Sequence, residues 1–250
     1  MLLLANGCSF TEGYYLSDIK LSWPFCLGKM LDIDVCNLAQ GGGSNDRIFR
    51  TSIQHLYLNQ NIDFMIVGWT GLARSEIPLH NGSFLKIKLN GKNTLDDQSL
   101  QSNPPKNYIE NFITNFYKWH YNEFVWVRNL LCHIITLQTI CEQKRIKLKQ
   151  FFAFDSTIAK LILDHHVLTE LCEKSYEFFK LENLTFPKWE DRDRNIELIQ
   201  NLIKQIDQES WISWPTTMAD SCKNFKFEPS GHPLEEGHQY WAEKIYDTLR

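Results

Sequence analysis

The sequence has no long apolar run and no excess of positive charge, and each absence excludes a class of protein. No stretch approaches the roughly 20 consecutive apolar residues of a transmembrane helix, and the N-terminus lacks the basic segment of a signal peptide. The formal net charge is −4, from 26 basic and 30 acidic residues. This balance gives no electrostatic footprint for nucleic acid or an anionic membrane. We therefore expect a cytoplasmic protein that binds neither nucleic acid nor membrane.

Clustered metal ligands and cofactor motifs are also missing. The seven cysteines are scattered, without a CxxC pair or a metal-ligand spacing. An odd, dispersed set is typical of reduced thiols rather than of a disulfide framework. The histidines before residue 170 have no company that suits a metal, and no phosphate-loop motif is present. We therefore expect no metal and no cofactor.

Apolar runs alternate with amphipathic segments along the 250 residues. This alternation predicts an α/β fold, with a mostly parallel sheet covered by helices on both faces. We expect a single domain over residues 1–250, with insertions at 75–118 and 175–215 and a small hairpin at 84–93. Residues 211–215 are expected to form a short strand or a docking segment. Strands are predicted at 1–7, 32–38, 64–69 and 146–154, and helices at 14–32, 46–59, 119–144, 157–180, 194–206 and 235–249.

Two segments at opposite ends of the chain carry candidate chemistry. Gly7-Cys8-Ser9-Phe10 follows an apolar run, which places Ser9 at the carboxyl end of a buried strand. Open α/β sheets place their ligand crevices at that edge. Near the C-terminus stands Gly231-His232-Pro233-Leu234-Glu235. A serine hydroxyl needs a base within hydrogen-bond reach to act as a nucleophile, so we predict Ser9 as the nucleophile and His232 as the base.

Together with Asn37–Asn45 and Gly68-Trp69-Thr70-Gly71, these segments resemble the four blocks of the SGNH (GDSL-like) hydrolases. The resemblance implies a three-layer α/β/α sandwich with a flavodoxin-like sheet, the SGNH hydrolase fold. It also implies an oxyanion hole. Its donors are the N–H of Ser9, the N–H of Gly42, and the side chain of Thr70, which stands where the family has an asparagine. Gly41 and Gly43 are close rivals of Gly42.

The first and third blocks depart from the family pattern. Cys8 stands where the family has an aspartate. A Cys8 thiol is an alternative nucleophile, but in an extended segment its side chain faces away from that of Ser9. Thr70 offers one donor where the asparagine offers two, which lowers the expected efficiency of catalysis.

The last block departs at the position of the aspartate that orients the histidine. Pro229 stands there, and a proline side chain cannot orient an imidazole. Glu228 is the candidate replacement and is predicted as the third catalytic residue. Asp220 and a backbone carbonyl remain alternatives for the group that orients His232.

The resemblance implies a serine esterase that acts on a small ester or an acylated glycan, for example by removing O-acetyl groups. Two alternatives remain open: a catalytically weak or inactive SGNH-like module that binds ligands or associates with a virion, and an O-acyltransferase. Similar Trp-Thr variants with a downstream arginine, here Arg74, occur in proteins of phage genomes, so we expect a phage source. Arg74 is interpreted as a structural ion pair with Glu76, and a substrate clamp is the alternative.

Overall fold

The computed structural model describes residues 1–59, 61–78, 84–88, 94–95, 111–112, 114–116, 123–155, 160, 170 and 192–250. The predicted helix at 157–180 lies almost wholly outside these residues, and so do parts of both expected insertions. The elements in chain order are β1 (Leu2–Asn6), α1 (Ser9–Glu12), α2 (Trp23–Leu31), β2 (Asp34–Asn37), α3 (Asn45–Leu58), β3 (Phe64–Trp69), β4 (Arg74–Pro78), β5 (Phe84–Lys88), β6 (Thr94–Leu95), α4 (Glu123–Gln143), β7 (Lys147–Phe152), α5 (Arg192–Ile203), α6 (Met218–Ser221) and α7 (Glu235–Leu249).

The central sheet has the strand order β2-β1-β3-β7, and every neighbouring pair is parallel. Beyond β7, Trp211 forms a single parallel bridge with Gln150, and the Ile212 N–H donates to the Gln150 carbonyl oxygen at 2.8 Å. The segment at 211–215 therefore docks where a fifth strand would lie. This order is the flavodoxin-like one. The predicted α/β class, with a mostly parallel sheet flanked by helices, is confirmed.

The two faces of the sheet bury separate cores, which makes the molecule three-layered. Successive side chains of a strand point to opposite faces. Leu4 and Val67 therefore pack on one side, with α3, α4 and α5. Ala5 and Ile66 pack on the other, with α2 and α7. Burial on both faces explains why these strands were evident as continuous apolar runs.

One predicted helix is shorter in the structure than in the sequence pattern. The pattern predicted a helix over 14–32 that Pro24 interrupts, but α2 begins at Trp23, with Pro24 in its first turn. Proline is well tolerated there because the N–H it lacks has no partner within the helix. Before α2, Ile19–Leu21 form a short 3-10 helix. The proline therefore begins this helix instead of breaking it.

A second, antiparallel sheet has the order β4-β5-β6. β5 pairs with both neighbours, and residues 89–93 of the expected hairpin lie outside the described residues. Glu76 of this sheet receives two hydrogen bonds from Arg50 of α3, at 2.9 and 3.0 Å. The predicted pair of Arg74 with Glu76 is therefore wrong, because Glu76 faces α3. Arg74 instead lies over the Phe154 ring, with its Cζ 4.7 Å from the ring centroid.

Helix α4 has the length and composition of a membrane span, with a mean hydropathy of 1.3 over its most apolar 18-residue window. This helix is not an unbroken apolar run, because it also carries Arg128 and His133. Its buried side chains, among them Leu130 and Ile134, pack into the core on the α3 side of the sheet. Core helices commonly meet the same length and hydropathy criterion, so this is weak evidence for a membrane span.

Candidate active site

Ser9 is the first residue of α1, directly after the turn that ends β1. The carbonyl oxygen of Cys8 accepts hydrogen bonds from the N–H groups of Thr11 and Glu12, at 2.9 and 3.0 Å, which closes the first helical turn. The Cys8 side chain is fully buried in the core on the α2 side. An ionised aspartate at that place would be costly to bury. The position is therefore a packing position in this chain.

Asn6 fixes this turn to α3, a role that the sequence analysis missed. Its side-chain oxygen accepts from the Gly7 N–H at 2.8 Å. Its amide nitrogen lies 2.9 Å from each of three acceptors on α3, including the Ile48 carbonyl and the Ser52 hydroxyl. These partners are more than 40 residues away in sequence, so no local pattern could have indicated them.

His232 lies at the end of a tight hairpin. The Gly231 N–H donates to the Glu228 carbonyl at 2.8 Å, and the Glu228 N–H donates to the His232 carbonyl at 2.9 Å. Gly231 has a φ of 86°. A three-residue loop of this kind, with a left-handed glycine, is a common hairpin turn. Pro229 occupies the turn position that favours proline, which accounts for a proline where the resembling family has aspartate.

The hairpin brings four side chains into a continuous chain of contacts. His232 Nε2 lies 2.7 Å from Ser9 Oγ, although the two residues are 223 positions apart. His232 Nδ1 lies 2.8 Å from Ser230 Oγ. Ser230 Oγ in turn makes a short hydrogen bond with Glu228 Oε2, and the Ser230 N–H donates to the same oxygen at 2.7 Å.

Among the proposed orienting groups, Glu228 reaches His232 only through Ser230. The hydrogen bond from Ser230 lowers the pKa of Glu228, and the nearby imidazole acts in the same direction. The Asp220 carboxylate instead accepts from the Thr217 hydroxyl at 2.7 Å within α6. A serine as the direct neighbour of Nδ1 was not among the alternatives drawn from the sequence. The residues Pro229-Ser230-Gly231 indicate a turn in the sequence, but the contact of Ser230 with the imidazole follows only from the conformation of that turn.

The glycine segment after β2 forms a turn beside the turn that carries Ser9. The Gln40 N–H donates to the Gly7 carbonyl at 3.3 Å, and the Gly43 N–H donates to the Gln40 carbonyl at 2.9 Å. Gly42 has a φ of 74°, which the third position of a type II turn requires. Within the described part of the chain, its N–H has no hydrogen-bond partner. Of the three rival glycines, Gly42 is thus the one with a left-handed backbone.

Two charged side chains border this glycine turn, the buried Lys86 and the half-buried Glu12. Lys86 of β5 donates to the Gly41 carbonyl at 3.4 Å, which connects the small sheet to the turn. Burial raises the pKa of Glu12, while a hydrogen bond from the Gly41 backbone and the charges of Lys86 and Arg47 oppose the rise. A side chain at Gly41 would come within 2.9 Å of the Glu12 carboxylate. The turn is therefore tightly enclosed.

Thr70 lies at the carboxyl end of β3 and is 1% exposed. Its N–H donates to Asn45 Oδ1 at 2.8 Å, and its carbonyl accepts from Asn45 Nδ2 at 3.0 Å. The first residue of α3 thus holds the Thr70 backbone in place. The Thr70 hydroxyl is buried and has no hydrogen-bond partner. A buried hydroxyl without a partner is costly, and the hydroxyl of Thr70 is available to donate to a ligand.

Aromatic rings surround His232. The Phe10 and Tyr15 ring centroids lie 4.9 and 5.3 Å from that of the imidazole, and the Tyr14 ring lies 6.2 Å away. Tyr14 and Tyr15 are each 50% exposed. Phe154 packs against Phe10 with centroids 5.3 Å apart. The imidazole is thus enclosed by apolar rings on the protein side and bordered by two tyrosines at the surface.

His238, the second histidine of the C-terminal segment, has a different role. Its Nδ1 accepts from the N–H of Trp23, the first residue of α2, at 3.1 Å. It therefore caps α2 from α7. Burial lowers the pKa of His238 to about 4, so the ring is neutral near pH 7. Within the described ranges, no three His, Cys, Asp or Glu side chains are grouped so that they could hold a metal ion.

No protein-family model matches the sequence, and no curated protein matches it. The chain is similar to solved structures at low identity. TesA is 11% identical, with 100% of this chain and 98% of that chain covered and a TM-score of 0.49. A member of the lipolytic G-D-S-L family from Veillonella parvula is 13% identical, with 99% and 97% covered and a TM-score of 0.45. The acetyl xylan esterase Est2A from Butyrivibrio proteoclasticus is 14% identical, with 100% and 63% covered and a TM-score of 0.43. These similarities are too distant to assign a role to any residue of this chain.

Proposed function

We propose that this chain is a serine esterase of the SGNH type, with Ser9 as the nucleophile and His232 as the base. The observation that carries the proposal is the 2.7 Å contact between Ser9 Oγ and His232 Nε2. A nucleophile within hydrogen-bond reach of a base that a third group orients is the arrangement of serine hydrolases. Here Ser230 and Glu228 stand on the far side of the imidazole.

The reaction then proceeds in two halves. Ser9 Oγ attacks the ester carbonyl as its proton passes to His232 Nε2, and the imidazolium gives that proton to the departing alcohol. The products of this half are a free alcohol and an acyl group on Ser9. A water molecule next attacks the acyl carbonyl and gives its proton to His232, which returns it to Ser9 Oγ as the acid leaves. No metal or cofactor takes part in this scheme.

The developing negative charge on the carbonyl oxygen needs hydrogen-bond donors in place before the reaction. We propose the N–H groups of Ser9 and Gly42 and the hydroxyl of Thr70. The Ser9 N–H is at the first position of α1, where helical N–H groups have no partner within the helix. Gly42 and Thr70 also have unused donors in the described residues. All three stand at the carboxyl ends of β1, β2 and β3 or in the turns after them.

For the substrate class, we propose small acyl esters on a glycan, such as O-acetyl groups. The support is the pair of half-exposed rings, Tyr14 and Tyr15, beside His232. A tyrosine presents an apolar face and a polar hydroxyl, which suits a sugar ring that has both kinds of surface. We propose that the acyl group lies on the other side of the site. There Thr70 is buried and the rings of Phe10 and Phe154 pack against each other.

Covalent labelling with a fluorophosphonate tests the esterase proposal directly. We expect the wild type to be labelled and to hydrolyse p-nitrophenyl acetate, and Ser9→Ala and His232→Ala to lose both activities. Ser17→Ala is the matched control, because Ser17 is an exposed serine that contacts Glu235 and not His232. Circular dichroism establishes that each variant is folded.

A folded wild type that takes no label would contradict the esterase proposal. In that case the chain would be a ligand-binding module, and Ser9→Ala would bind glycans on an array as the wild type does. Transfer of the acyl group to an added sugar, seen by mass analysis of products, would identify an acyltransferase that uses the same residues.

A further inference from the structure

Ser230 has a single hydroxyl proton and two polar neighbours. Its Oγ lies 2.8 Å from His232 Nδ1 and within a short hydrogen bond of Glu228 Oε2. An ionised carboxylate can only accept, and the lowered pKa of Glu228 keeps it ionised near pH 7. The Ser230 proton is therefore directed at Glu228.

This direction decides which imidazole nitrogen carries the proton. With its own proton on Glu228, the Ser230 oxygen can only accept from His232, so Nδ1 holds a hydrogen. In the neutral ring, Nε2 is then unprotonated and faces Ser9 Oγ at 2.7 Å. That is the tautomer a general base needs. The reverse arrangement would place the Ser230 oxygen against the carboxylate with no proton between them.

We infer that Ser230 is a positioning residue, which fixes the tautomer of His232 and couples the charge of Glu228 to the imidazole. The inference rests on the proposed function for its catalytic meaning, but the tautomer itself does not depend on turnover. Ser230 thus takes the position that the carboxylate has in a Ser-His-Asp triad. The Glu228 carboxylate contacts Ser230 and not the imidazole.

Other groups lie around His232 as well. Tyr14 and Tyr15 contact the ring from the segment after α1. His238 of α7 is close enough for the two histidine charges to oppose each other. Glu228 is the acidic group that reaches His232 within the hairpin. A test must therefore separate the Ser230 hydroxyl from these neighbours, which substitutions of Ser230 and Glu228 do without moving the other groups.

The experiment is a nitrogen NMR titration of His232 in protein with labelled histidine, together with pH profiles of ester hydrolysis. In the wild type we expect the neutral ring to carry its proton on Nδ1. Ser230→Ala should mix the tautomers, lower the titration midpoint of the ring, and lower kcat roughly 10- to 100-fold with KM unchanged. Ser230→Thr keeps a hydroxyl and should restore the wild-type spectrum and most of the rate.

Glu228→Gln separates the charge from the hydrogen bond. The amide oxygen can still accept from Ser230, so the tautomer should persist while the titration midpoint falls. The double variant with Ser230→Ala should be no slower than Ser230→Ala alone, because residues that act as a unit are not additive.

Two results would overturn the inference. One is a neutral wild-type ring protonated on Nε2. The other is a Ser230→Ala protein whose tautomer, titration midpoint and kcat all match the wild type. If the wild type has no turnover and Ser230→Ala still changes the tautomer of His232, the esterase proposal is contradicted and the positioning role of Ser230 stands.

Discussion

The Thr70 hydroxyl is buried without a partner, so the folded protein retains a cost that a ligand oxygen would relieve. Thr70→Val has nearly the same shape and removes only that hydroxyl. We expect kcat to fall on the order of 10²-fold, as for other oxyanion donors. We also expect the free energy of unfolding to stay unchanged or to rise by about 1 kcal/mol, because an unsatisfied buried group is lost.

Ester turnover and urea unfolding of the same Thr70→Val preparation check this prediction. Thr11→Val is a useful control, because its hydroxyl is also buried and unpartnered but has no proposed part in the reaction. If Thr70→Val kept the full rate, Thr70 would not be an oxyanion donor.

The sequence indicates some residues of the candidate site and not others. Ser9, His232 and Thr70 could be placed from short segments, because each follows a strand or turn with a recognisable pattern. The role of Asn45 could not be predicted from the sequence, because its side chain holds the backbone of Thr70, 25 residues away. The sequence predicted a carboxylate as the partner of His232 and not Ser230. The contact of Ser230 with the imidazole depends on the turn conformation at Gly231.

At the scale of elements, His238 links α7 to α2 and makes their packing sensitive to pH. Its pKa is about 4 in the folded chain and near the ordinary 6.5 when unfolded. Between these values the unfolded chain binds more protons, so stability rises with pH. The contribution is complete above pH 6.5 and is lost as the pH falls towards 4. The loss amounts to roughly 3 kcal/mol at most.

His238→Asn removes the titrating ring and keeps an acceptor near the position of Nδ1. We expect its free energy of unfolding to vary less between pH 7 and pH 4.5 than that of the wild type. Urea unfolding at three pH values measures how the free energy of unfolding of each protein changes with pH. His133 also has a pKa lowered to about 4 by burial, so some dependence should remain. Identical slopes in the two proteins would show that His238 does not carry the effect.

The helices and strands predicted best are those whose sequence pattern has a single physical cause. Continuous apolar runs indicated β1 and β3, because strands buried on both faces have no polar side. The start of α2 was misplaced because Pro24 was taken for an interruption, although a proline at that position begins a helix. The pairing at Trp211 could not be settled from sequence, because a single bridge to Gln150 leaves no periodic pattern.

At the scale of the molecule, the two side chains of the proposed reaction come from opposite ends of the chain and meet only in the complete fold. Ser9 follows the central strand β1, and His232 precedes α7, which packs on the α2 side of the same sheet. We predict a single domain for this chain, and such a domain unfolds in one cooperative transition. We expect fluorophosphonate labelling and far-ultraviolet circular dichroism to be lost at the same urea concentration. Loss of labelling well before loss of ellipticity would mean that the hairpin opens locally.

The outer end of the His232 hydrogen-bond chain is open to the solution, since Ser230 is exposed and Glu228 is only partly covered. Dissolved ions screen such charges, with a Debye length of about 8 Å at 0.15 M. Added salt should therefore weaken the influence of Glu228 on the imidazole, while the contact with Ser9 on the sheltered side persists. In the proposed reaction, the strength of His232 as a base would then depend partly on the ionic medium, and the working pH range would differ between brackish and dilute surroundings.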